Sequence, residues 1–262
     1  MQQPIISLRG LRKSFGTKEV LKGLDLDIQP GQIIGYIGPN GAGKSTTVKI
    51  LCGILADFEG EVEVLGKNLR EASLEIKKRI GYIPENGAMY QTLSPMEYLQ
   101  FVGELQGMEL ADIQEKSKKL LQLFGMDAHA DERIQTFSKG MKQKILIISG
   151  LLHNPDIIFM DEPLSGLDAN SVIMVKEMLN QLAKEGKTIF YSSHIMDVVE
   201  KISDRIILIS DGAIVADGTF AELNAGTASA SLEKLFTQLT GSSGHAQTAT
   251  EIIDVFGKEE AS

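Results

Sequence analysis

Ile33-Ile34-Gly35-Tyr36-Ile37 leads into Gly38-Pro39-Asn40-Gly41-Ala42-Gly43-Lys44-Ser45-Thr46, and Thr47-Val48-Lys49-Ile50-Leu51 leads out. The first eight of the middle nine residues fit the pattern G-x-x-x-x-G-K-[ST], between a strand-like apolar run and a helix-like one. Such a loop wraps successive backbone N–H groups around a di- or triphosphate. Gly38, Gly41 and Gly43 let the backbone come close and take positive φ where needed. Lys44 reaches the β- and γ-phosphates as a point charge, and the Ser45 hydroxyl is a ligand for Mg²⁺. The helix N-terminus adds its own anion affinity. Gly38, Asn40, Gly41, Ala42, Gly43, Lys44, Ser45 and Thr46 are therefore the expected contacts of a nucleoside triphosphate.

The 262 residues leave room for one large core or a core with an inserted subdomain. A net charge of −9 argues against a general nucleic-acid binder, which needs a basic face. Cys52 is the one cysteine and falls in the apolar run after the loop, where a small buried hydrophobe is expected. It permits no internal disulfide, and a reducing compartment fits. The start, Met-Gln-Gln-Pro-Ile-Ile-Ser, reads as no signal peptide. The strongest apolar stretch, Ile145 to Leu152, is short and broken at Ser149-Gly150. A soluble chain is expected, one that reaches a membrane only through a partner.

Residues 5–28 carry β-rich pieces around Gly16 and Gly23 and predict an antiparallel sheet. Glu61-Val62-Glu63-Val64-Leu65 alternates and ends at Gly66; Ile80 to Pro84 reads as another strand. Ser94-Pro95-Met96-Glu97 has the form of a helix start, and Asp112-Ile113-Gln114-Glu115 offers a second capping box. Ile113, Leu120, Leu121 and Phe124 follow at helical spacing. Strand texture returns at 157–160, 188–191 and 205–209, alternating with helical texture near 169–184 and 194–202. That alternation predicts a parallel α/β sheet. Residues 241–262 read as mostly mobile, with Ile252 to Phe256 able to dock.

Ile157-Ile158-Phe159-Met160 is followed by Asp161-Glu162. A buried parallel strand of this kind delivers Asp161 to the carboxyl edge of the sheet, where ligands bind. There Asp161 can hold Mg²⁺ opposite Ser45, and Glu162 can polarise an attacking water. A helical stretch separates Lys44 from Asp161, which points to an elaborated ATPase rather than a compact GTPase. Asp168 either caps the helix beginning at Ala169 or belongs to the site. His194 ends a core strand at the ligand edge and can face a γ-phosphate; His129, His153 and His245 read as surface or satisfied core residues.

In this order the pieces resemble the ATP-binding subunits of ABC transporters, over about residues 5–225. Phe137-Ser138-Lys139-Gly140-Met141 resembles the family's signature motif, Ser165 to Asp168 its D-loop, His194 its switch histidine and Glu85 its Q-loop residue. Phe15 stands where an aromatic side chain stacks on adenine; a strand-face aromatic is the alternative. Two departures are visible. The usual Leu-Ser-Gly-Gly-Gln keeps here only Ser138 and Gly140, and the usual Q-loop glutamine is Glu85. Segments around Glu85, Ser138 to Met141 and Ser231 to Gly241 are similar to the ABC-2, or drug and sodium exporter, type.

The resemblance implies an α/β P-loop NTPase (RecA-like) core with a parallel sheet, an N-terminal antiparallel β subdomain and an inserted all-α subdomain. Residues 1–225 would form the ATPase domain: β subdomain and core at 1–94, helical subdomain at 95–150, core again at 151–225. A C-terminal helix would follow at 226–241 and a mobile tail at 242–262. The implied cofactors are ATP and Mg²⁺, the latter on Ser45, Asp161 and Glu85, with Glu162, His194 and Lys44 catalytic. Phe15, Glu85, Ser138, Gly140 and Asp168 would join the phosphate loop in binding nucleotide. The implied partners are a second copy, in an ATP-sandwich homodimer, and an integral membrane permease on whose cytoplasmic face the subunit sits; no nucleic acid is implied. An importer ATPase is an alternative. So is a soluble family member acting on ribosomes or DNA, although such proteins commonly carry two cassettes, long coiled coils or zinc modules.

Overall fold

A computed structural model describes residues 3–85, 87–193, 195–225 and 231–240 of the chain. Its first strands, β1 (Ile6–Phe15) and β2 (Lys18–Ile28), pair antiparallel across a tight turn. A register shift between Leu8 and Leu11 brings both leucines to the buried face despite their odd spacing. β3 (Ile33–Ile37) runs into the phosphate loop, and α1 (Lys44–Leu51) leaves it. β4 (Glu59–Val64) and β5 (Lys67–Asn68) return to the first sheet, whose four strands lie in the order β2-β1-β4-β5.

After α2 (Ser73–Lys77) and β6 (Ile80–Ile83) the chain turns helical. α3 (Pro95–Leu105), α4 (Leu110–Leu123), short 3₁₀ turns at Asp127–His129 and Ile134–Thr136, and α5 (Lys139–Leu151) make the insert. The core resumes with β7 (Ile157–Asp161), α6 (Ala169–Lys184), β8 (Thr188–Ser192), α7 (Met196–Ile202), β9 (Arg205–Ser210) and β10 (Ala213–Gly218). α8 (Phe220–Asn224) and α9 (Leu232–Thr240) close the described chain.

The second sheet has the order β10-β9-β3-β8-β7-β6, parallel except for β10. Every residue of β3, β7 and β8 is buried, as expected when both sheet faces are covered. Alternate residues supply two cores. Ile34, Tyr36, Ile157 and Phe159 face the side shared with the antiparallel sheet and α1. Ile33, Ile37, Ile158 and Met160 face the side shared with the helical insert, α6 and α7. β3, β7 and β8 thus end at one edge.

The predicted class and strands are present, with differences at several element ends. The helix after the loop begins at Lys44 rather than Thr47, because the left-handed Gly43 completes the turn and leaves the next residue free to be helical. α4 begins at Leu110, so Asp112 lies in its first turn and is not a cap; Glu109 holds the cap position without a side-chain bond. An acid there still favours the positive end of the helix dipole. β5, α2, β10 and α8 were not anticipated. Among the described residues no helix is long and apolar enough to cross a membrane. His194, His245, residues 226–230 and the 241–262 segment lie outside the described residues.

Candidate nucleotide site

The loop between β3 and α1 is shaped by its glycines and its own hydrogen bonds. Gly43 caps α1 at φ 111°, and a Cβ there would meet Leu21 Cδ2 at 2.6 Å. A Cβ on Gly38 would meet the Ile209 carbonyl oxygen at 2.2 Å. Both positions admit only glycine without displacing a neighbour. Gly212 N–H donates to the Ala42 carbonyl at 3.2 Å, which pins the loop to the β9–β10 turn. The Lys44 ammonium donates to the carbonyls of Gly38 (2.6 Å) and Pro39 (3.2 Å). Burial pushes its pKa below the ordinary lysine value, against the opposing charges of Glu162 and Asp161. Below it, the Tyr36 and Thr47 hydroxyls lie 3.1 Å apart and Thr47 Oγ1 donates to Gly43 O, fixing the first turn of α1.

β7 delivers the acids. Asp161 is its last residue, buried, and its Oδ2 accepts a 2.8 Å hydrogen bond from the Ser45 hydroxyl. Glu162 steps off the strand at φ 49°, in the left-handed region that β-carbon sterics disfavour. Its N–H donates to Ser192 O at 2.9 Å, and its carboxylate accepts from Ser193 Oγ at 3.1 Å. Backbone and side chain are therefore both held from the β8 end.

These residues share one cleft. Asn40, Gly41, Gly43, Lys44, Ser45 and Thr46 line it, with Glu85, Asp161 and Glu162 opposite. Gly38 and Ala42 are buried in the loop behind it. Lys18 and Val20 complete the wall and were missed; their only signal is their place just after Phe15. Ser193, which the sequence did not single out, holds Glu162. Phe15 ends β1 with its ring half exposed (49%) and the Lys13 ammonium 4.9 Å from the centroid.

Ser138, Gly140 and Asp168 form a second group. Ser138 caps α5, its hydroxyl accepting the Met141 N–H at 3.2 Å. Gly140 sits in the first turn of that helix. Asp168 caps α6, accepting from the Ser171 N–H (2.9 Å) and hydroxyl (2.6 Å), which hold its carboxyl below the usual range. The capping reading of Asp168 is thus realised. None of these three lines the cleft among the described residues.

The donor set suits Mg²⁺. The Ser45 hydroxyl and Asp161 carboxylate are hard oxygens already in contact. Among the described residues no three His, Cys, Asp or Glu side chains converge into a metal cage. Mg²⁺ favours such sparse protein ligation, keeping waters and substrate phosphates in its shell.

Known proteins share this architecture. The sequence matches the ABC transporter family over residues 21–165. It is 35% identical over 219 residues to the linearmycin resistance ATP-binding protein LnrL of Bacillus subtilis, across 84% of this chain and 70% of that protein. It is 33% identical over 219 residues to the Nod factor export ATP-binding protein I of Cupriavidus metallidurans, across 84% and 72%. Among solved structures, the ATP binding subunit of an ABC transporter superposes with a TM-score of 0.84 at 29% identity, across 90% of this chain and 99% of that one. The matched stretch runs from β2 through the phosphate loop and the helical insert to just beyond Asp161-Glu162, so this chain belongs to the ABC transporter family, as one of its ATP-binding, ATP-hydrolysing subunits.

Proposed function

We propose that two copies of this subunit close head to tail over two ATP molecules and drive export through a separate membrane permease. One observation carries the dimer: among the described residues Ser138 and Gly140 do not line the cleft that holds the phosphate loop. A lone chain presents half a site. In the closed pair the Ser138 hydroxyl and the N–H groups at the start of α5 face the γ-phosphate held by the other copy. Phe15 stacks on the adenine, and Lys44 exchanges its loop carbonyls for the β- and γ-phosphates. Glu162 takes a proton from the attacking water, and Lys44 offsets charge that develops on the phosphoryl group. Ser45, Asp161 and Glu85, all in the cleft lining, would hold Mg²⁺, which when bound would screen the phosphate charge. His194 would complete the γ-phosphate contacts.

Export is supported by the relative named for Nod factor export and by the exporter-like segments of the sequence. A groove between the insert and the core suits a permease element. Ile54, Tyr82, Tyr98 and Val102 line it, and Phe101 and Leu105 lie exposed on α3 beside it. This binding would hold the subunit at the cytoplasmic face of the membrane.

The dimer and the base are tested together by Glu162→Gln. With ATP and Mg²⁺ the variant should run as a stable dimer by light scattering, with turnover lower by about 100-fold or more. Normal turnover removes Glu162 from its role; a variant that stays monomeric with ATP removes the sandwich.

A further inference from the structure

Lys139 occupies the signature position where the family usually has glycine, and its side chain spans to another element. Its ammonium donates to Ser165 Oγ at 2.6 Å. The aliphatic stem lies against Gly166, where an added Cβ would meet Lys139 Cγ at 3.0 Å. One residue on, a Cβ on Gly140 would meet the Gly166 carbonyl oxygen at 2.4 Å, so α5 and the 165–168 turn touch backbone to backbone. Lys144, further along α5, lies 3.9 Å from Asp168. The turn leads back to Glu162: Ser165 N–H donates to Glu162 O at 3.2 Å, and Leu167 N–H to Leu164 O at 3.2 Å. A continuous path of short contacts therefore joins the start of α5 to the left-handed backbone of Glu162.

We propose that Lys139 is a positioning residue that locks the Ser138–Gly140 turn to the segment carrying Glu162 in the same chain. This rests on the ATP-sandwich reading. There, the Ser138–Gly140 turn engages the nucleotide of one site while Glu162 of the same chain serves the other. The Lys139–Ser165 bond makes the two move together, so that one site is competent only when the other is closed. With glycine at this position the path would lose its link to Ser165 and keep the backbone contact of Gly140 with Gly166 and the longer Lys144–Asp168 pair.

The test is steady-state ATPase of the full-length chain with Mg²⁺, comparing Lys139→Met, Ser165→Ala, the double variant and Lys139→Arg. Each single variant should lower kcat about fivefold with little change in the KM for ATP, and should bring the Hill coefficient toward unity. The double variant should be no worse than either single one, and arginine should restore most of the loss. Unchanged melting temperature and nucleotide affinity show that the variants fold. If kcat is unchanged, or the two single losses multiply in the double variant, the lock is wrong. If wild type is cooperative and Lys139→Met stays equally cooperative, the lock is wrong while the sandwich stands. If wild type shows a Hill coefficient of unity and Glu162→Gln never dimerises, the sandwich fails and the lock falls with it.

Discussion

His153 lies just beyond α5, and its Nε2 is 2.9 Å from the carbonyl oxygen of Ile80 at the start of β6. That acceptor places the ring proton on Nε2, and the buried Nδ1 has no hydrogen-bond partner among the described residues. Burial holds the imidazole pKa below its ordinary value; the charge of Lys187 acts in the same direction and the Ile80 carbonyl against it. The unfolded chain therefore takes up this proton first as pH falls. Stability tied to His153 is complete above about pH 6.5 and is lost as pH drops toward the lower folded value. Urea unfolding midpoints should fall between about pH 7 and pH 5 in the wild type and fall less steeply in His153→Gln. An equal slope in both would remove His153 from the acid response. A surface or satisfied core histidine was expected at this position; its partner, 73 residues away, carries no sequence signal.

At the scale of elements, what could be read in advance was what is locally encoded. α3 starts where Ser94-Pro95-Met96-Glu97 says it should. Ser94 Oγ accepts the Glu97 N–H at 3.3 Å, and Glu97 Oε2 accepts the Ser94 N–H at 2.8 Å. The same oxygen accepts from Arg133 Nη1 at 2.8 Å, tying the helix start to the loop before α5. Ser94→Ala should lower the unfolding free energy by about 1 kcal/mol in chemical denaturation, and no measurable change would mean that proline at the first turn suffices. The buried strands were equally plain, since Ile157 to Met160 and Thr188 to Tyr191 are apolar runs too short for helices. β10 escaped because Ala213-Ile214-Val215-Ala216-Asp217-Gly218 is half exposed and held by pairing with β9 and by the Arg205–Asp217 ion pair, both tertiary features. α8 did carry a signal: Thr219 and Glu222 form a capping box over a helix of five residues. In the site, the phosphate loop and Asp161 were legible because one strand–loop–helix encodes the first and one strand end the second. Lys18 and Ser193 were not, because the chain fold alone brings Lys18 to the cleft and Ser193 to the Glu162 carboxylate.

In the proposed transporter the molecule would meet two kinds of partner on two faces: a second copy at the cleft and the Ser138–Gly140 turn, and the permease at the groove between α3 and the core. On the second face Tyr90 and Phe101 meet edge to face at 5.3 Å, and Leu105 follows one turn later, 70% exposed. Phe101→Asp with Leu105→Asp should abolish co-purification with the permease while the purified subunit keeps its ATPase rate within about twofold. Retained co-purification would move the permease elsewhere. The phosphate loop approaches its ligand differently. Lys44 already spans it, bonded to the Gly38 and Pro39 carbonyls, and Ser45 already meets Asp161. These bonds and the close approaches at Gly38 and Gly43 set the loop's backbone within the fold itself, so the entropy of ordering it is spent in folding rather than at each catalytic cycle.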